Sequence, residues 1–87
     1  MSETKEQKLP KWFNGEVYLK GGEVSNPFTG VKVELTAIEL SMYDFIKGAE
    51  YYMTVSGRQN DKLADEMYKG LTWFAKNNIN AYMTLLD

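Results

Sequence analysis

The chain has 87 residues, with 10 Lys+Arg against 12 Asp+Glu, a formal charge of -2 and a hydrophobic fraction of 44%. That is an ordinary globular composition for one small domain, too apolar for a fully disordered chain. It contains no Cys and no His, which excludes disulfides, thiolate metal sites, Cys nucleophiles, Ser-His-Asp triads and His-ligated metals.

No apolar run approaches the ~20 residues of a membrane span. A chain this short buries only about 60–65% of its unfolded surface, so a well-packed core or a partner subunit must supply its stability. Six Tyr, four Phe, two Trp and five Met are a large supply of bulky side chains. Some of them are expected to cover an interface in a homo-oligomer, a dimer first of all. The basic residues are spread among acidic ones and Arg58 is the only arginine. That argues against a nucleic-acid binder driven by phosphate contacts. Absent cysteines fit a cytoplasmic home.

Residues 1–10 are polar and mixed in charge and read as a flexible tail, leaving 11–87 as a single domain. The first third of that domain reads as short strands punctuated by turns. Asn14-Gly15 follows Trp12 and Phe13, and Asn-Gly suits a tight hairpin. Gly21-Gly22 repeats the signal after Val17, Tyr18 and Leu19. Asn26-Pro27-Phe28-Thr29-Gly30 is a third turn. Val31, Val33 and Leu35 then alternate with charge on one face of a strand. An antiparallel meander of two to four strands follows, which must pack on helices to be stable.

At Thr36 the period changes. Thr36-Ala37-Ile38-Glu39 has the form of a capping box. The helix it opens is expected to run from about Ala37 to Val55, with Gly57 as its stop. At 100° per residue, Ile38, Met42, Phe45, Ile46, Ala49, Tyr52 and Met53 share one arc, with Leu40, Tyr43 and Tyr51 on the opposite side. A second helix, capped by Asn60 or Asp61, is expected over about Lys62 to Lys76, with Leu63, Met67, Leu71 and Phe74 as its stripe. Trp73 projects from its polar side. Ile79, Tyr82, Met83 and Leu86 suggest a short third helix that must dock. The fold class is therefore α+β: a meander, a helical hairpin and a C-terminal helix. Ile38, Phe45, Ile46, Ala49, Leu63, Met67, Leu71 and Phe74 are expected to form most of the core, joined by Val33 and Leu35.

Chemistry without His needs carboxylates. Asp61 and Asp65, one turn apart, have the spacing to hold a hard cation such as Mg²⁺, and equally suit a solvated helix N-terminus. Lys20-Gly21-Gly22-Glu23 lacks the strand-to-helix context of a phosphate loop. Lys47 and Lys69 sit where solvated amines belong. No nucleophile–base pair stands out, so the chain reads as a non-enzyme with no cofactor and no metal.

Aromatics carry the binding alternatives. Leu40, Tyr43, Tyr51 and Trp73 are the interface candidates, because Tyr and Trp are enriched at hot spots. Their plain reading is cover by the meander. Trp12, Phe13 and Tyr18, placed together on the hairpin, offer a stacking platform for single-stranded nucleic acid, though without a basic groove. Asn26-Pro27-Phe28 also matches a tripeptide read by endocytic adaptor modules, and a turn explains it fully.

The string Asn26-Pro27-Phe28-Thr29-Gly30, with Val33-Glu34-Leu35 and Glu39-Leu40-Ser41-Met42-Tyr43-Asp44-Phe45-Ile46, resembles small proteins of tailed phages of marine cyanobacteria, also met in ocean metagenomes. So do Gly70-Leu71-Thr72-Trp73-Phe74, Asn77-Asn78 and Ala81-Tyr82-Met83. The similarity spans roughly residues 11–87. It implies a phage product inside an infected bacterium, with phage or host proteins as partners, and an accessory or assembly role. It brings no catalytic residues to carry over.

Overall fold

The computed structural model describes residues 7–57 and 60–86, and its element order is ββααα, an α+β arrangement. Strands β1 (Gly22–Ser25) and β2 (Lys32–Leu35) pair antiparallel, with Val24 opposite Val33 and Gly22 opposite Leu35. Alternation turns Val24, Val33 and Leu35 towards the helices and leaves the charged residues in water. The sheet has two strands, the lower bound of the expected meander. Residues 11–21 form turns and irregular chain instead of strands. Their polar groups and rings go to the following helix: the Tyr18 N–H donates to Ser41 Oγ at 2.8 Å, and Gly15 lies against Phe13 and Phe45. Val31 precedes β2 and is half exposed.

Asn26 builds the connecting turn. Its Oδ1 accepts from the Phe28 and Thr29 N–H groups at 2.7 and 3.2 Å, and its carbonyl accepts from Gly30 at 2.7 Å. Gly30 sits at φ 79°, the left-handed region that glycine enters without strain. Asn26 Nδ2 donates to the Thr84 carbonyl at 2.8 Å, which ties the hairpin to the C-terminal segment.

Helix α1 (Ala37–Ser56) opens with the complete capping box: Glu39 N–H to Thr36 Oγ1 at 3.1 Å and Thr36 N–H to Glu39 Oε1 at 3.0 Å. It ends at Gly57, φ 68°. Helix α2 (Asp61–Asn77) is capped by Asn60, whose Oδ1 accepts from Leu63 at 3.0 Å. The two helices pack where Gly70 lets α1 approach closely. A Cβ there would meet Met42 Sδ at 3.1 Å and Ile46 Cγ1 at 3.2 Å.

The core is Leu35, Met42, Ile46, Phe74, Ala81 and Leu85, with Phe74 and Met42 fully sealed. Ala49 is also buried. Val33, Phe45, Met67 and Leu71 pack at the core's edge, half-buried. Ile38 and Leu63 are also only half-buried and lie outside that cluster.

The C-terminal segment differs from its expected stripe. A short helix, α3 (Ile79–Ala81), passes into a π-helical turn over Tyr82–Leu86. The buried residues are Ala81 and Leu85, whereas Ile79 and Met83 are 51% and 59% exposed. The wider winding of a π turn rotates side chains off an i, i+3, i+4, i+7 pattern. Asn78 fixes the entry: its Oδ1 caps Ala81 N–H at 3.1 Å, and its Nδ2 donates to Glu39 at 3.3 Å. No helix among the described residues is long and apolar enough to cross a membrane.

Candidate functional site

Three of the four interface candidates belong to the chain's own packing. Leu40 lies beneath the start of β1, with its Cδ2 3.8 Å from where a Gly22 Cβ would stand. Leu40, Tyr43 and Trp73 all pack, half-buried, against the core. Trp73 also donates its indole N–H to the Lys8 carbonyl at 3.0 Å and sets its ring edge-on to Phe74. For Trp73 the reason is a segment that the sequence places in the tail. Gln7, Lys8 and Leu9 lie along the helices, where they contact Glu39, Trp73 and the core. Residues 1–6 of that tail fall outside the described residues.

Tyr51 is the exception, at 71% exposure. On α1 it shares a face with Gly48, Tyr52 and Val55, within an arc of about 100° at 100° per residue. Tyr52 is 50% and Val55 65% exposed, and among the described residues nothing lies within 4 Å of a Cβ placed on Gly48. Lys47 and Glu50 flank the face and pair with each other at 3.1 Å. The face therefore has three large side chains around a flat, open spot, with its nearest charges already matched.

The nucleic-acid platform does not assemble. Trp12 and Phe13 lie on irregular chain, not on a hairpin strand, and their rings close on Phe45. The centroids lie 5.7 and 5.5 Å from that ring, so the trio is packing. Tyr18 makes no ring contact with them among the described residues. Its phenol titrates above the ordinary value of 10.0, raised first by loss of water and then by the Asp44 and Glu16 carboxylates.

At Asp61 and Asp65 the geometry is that of a solvated helix end. The Asp65 carboxylate pairs with Lys69 at 3.2 Å, and both groups are exposed. Among the described residues no three acidic side chains converge as metal ligands would. Phe28 stands 94% exposed at the tip of the Asn26 turn. A groove of about 470 Å³ runs between α2 and Tyr82, lined in part by Tyr68, Leu71 and Ala75.

Sequence reasoning missed the Gly48–Val55 face as a unit, because Tyr52 falls at the edge of the helix's inward arc. The available signal was Gly48, a glycine inside a helix with no turn to serve. No protein-family model matches the chain, and neither a curated protein nor a solved structure is similar to it.

Proposed function

We propose that this chain is a protein-interaction module that self-associates through the outer face of the second half of α1. The observation carrying the reading is the exposed group Tyr51, Tyr52 and Val55 around the open Gly48. An exposed glycine inside a helix costs about 1 kcal/mol relative to alanine. Packing among the described residues gives no return for that cost, whereas close approach of another backbone does.

A second copy is the occupant, because the face carries both its own hollow and its own knobs. Antiparallel pairing across a two-fold axis sets the tyrosines of each copy against Gly48 of the other, the self-complementarity of an isologous contact. Three large side chains on one helix face make a small contact, for which we expect association in the micromolar range or weaker. An accessory or assembly role in a phage is the setting we propose, and it rests on the resemblance of residues 11–87.

Light scattering across a concentration series tests the reading. The wild type shifts from monomer to dimer as concentration approaches ~100 µM, and the double variant Tyr51→Ser, Val55→Ser stays monomeric with unchanged helicity. A wild type that remains monomeric throughout that range removes the reading.

A further inference from the structure

The segment from Gln7 to Phe13 has no regular secondary structure, yet it is tied at several points across α1 and α2. Its Gln7 amide reads both halves of the α1 capping box. Gln7 Nε2 donates to Glu39 Oε2 at 2.7 Å, and Gln7 Oε1 accepts from Thr36 Oγ1 at 2.8 Å. Donor and acceptor are thus each assigned to one end of the amide.

Glu39 is buried, 3% exposed, and Asn78 donates to the same carboxylate oxygen. One carboxylate therefore joins the N-terminal segment, the start of α1 and the entry to α3. Next along the segment, the Lys8 carbonyl takes the Trp73 indole N–H, and Leu9, Trp12 and Phe13 lay apolar surface on the core's edge.

What the segment lacks is a backbone ladder. Among the described residues its one backbone–backbone hydrogen bond is local, from Phe13 N–H to the Pro10 carbonyl at 3.1 Å. Segments held by side chains alone open at a lower free energy than the helices beneath them. The charge-assisted Gln7–Glu39 bond is the strongest polar tie, and removing it frees a buried carboxylate as well as the strap.

We infer that residues 7–13 form a strap, latched by Gln7 on the α1 capping box, that opens as a unit before the rest of the fold. Opening releases the Trp73 indole, whose bond to Lys8 is already exposed, and bares the Phe45 ring and the Glu39 carboxylate with it. The strap is thus a conformational device that shields an aromatic seam while closed. The inference is independent of self-association through Tyr51 and Val55, since the two use different surfaces.

Hydrogen exchange of the full chain, followed by NMR, reads this directly. In the wild type the Trp73 indole proton exchanges at least about tenfold faster than the Ile46 and Phe74 backbone amides, because breaking its exposed bond to the Lys8 carbonyl asks for no more than strap opening. Ile46→Val, which thins a buried contact with α2 that strap opening leaves in place, speeds those two amides several-fold and leaves the indole near its wild-type rate. An indole proton that exchanges in step with the two core amides in the wild type overturns the inference. So does an Ile46→Val variant in which all three accelerate equally.

Discussion

Leu40 and Tyr43, on the first half of α1, are half-buried against the core, whereas Tyr51 and Val55, on the second half, are 71% and 65% exposed. The side chains are of one kind and lie on one rod, so composition does not separate them. Reach does. Each strand of the hairpin has only four residues, about 13 Å at strand rise, while the 20 residues of α1 span about 30 Å. The hairpin covers the beginning of the helix and cannot cover its end. In a chain this small, a helix longer than its lid leaves an apolar face uncovered by the fold, and that bare face is the surface we assign to binding.

The largest test of this contrast compares deletions in the two halves. Met42→Ala should lower stability by ~2–5 kcal/mol in urea titration, because Met42 is fully buried beside Phe74. Val55→Ala should cost under about 0.5 kcal/mol in the same assay at monomeric concentrations. Equal losses would mean that the end of α1 is covered after all. Between them, Leu40→Ala should cost roughly 1–2 kcal/mol, the worth of a side chain half removed from water.

Helix ends, hairpin turn and fold class were legible from the sequence because each rests on local chemistry. Thr36 with Glu39, Gly57, Asn60 and Asn26 satisfy neighbouring backbone groups, and that need can be read along the chain. Non-local matters were not legible. Trp12 and Phe13 look like strand residues beside an Asn-Gly turn, but Phe45 gives them a better surface than a third strand would. Trp73 looks exposed on its own helix, and only the distant Lys8 carbonyl shows why it is held in place. Ala81 and Leu85 escaped notice because a π turn does not follow the period of an α-helix.

Two glycines sharpen the contrast by a smaller amount. Gly48→Ala should stabilise the monomer by up to about 1 kcal/mol in a thermal melt, since nothing occupies the space its Cβ takes. Gly70→Ala should show no such gain, because the new methyl presses on Met42 and Ile46.

The smallest effect concerns pH. Tyr18 is raised in the folded chain, by desolvation first and then by Asp44 and Glu16. The folded state therefore holds that proton more tightly than the unfolded state. The associated stability is fully present below pH 10.0, the unfolded value, and is lost as pH rises through the higher folded value. Tyr18→Phe should flatten the alkaline decline of a stability–pH curve slightly, and an unchanged slope would remove this contribution.

Sedimentation equilibrium of the wild type beside Gly48→Lys tests the binding face most directly. Lysine favours the helix more than glycine does, so the variant folds at least as well, while its long charged side chain fills the hollow that a second copy must occupy. We expect a concentration-dependent dimer for the wild type and a monomer for the variant over the same range. Identical masses at every concentration would contradict the assignment.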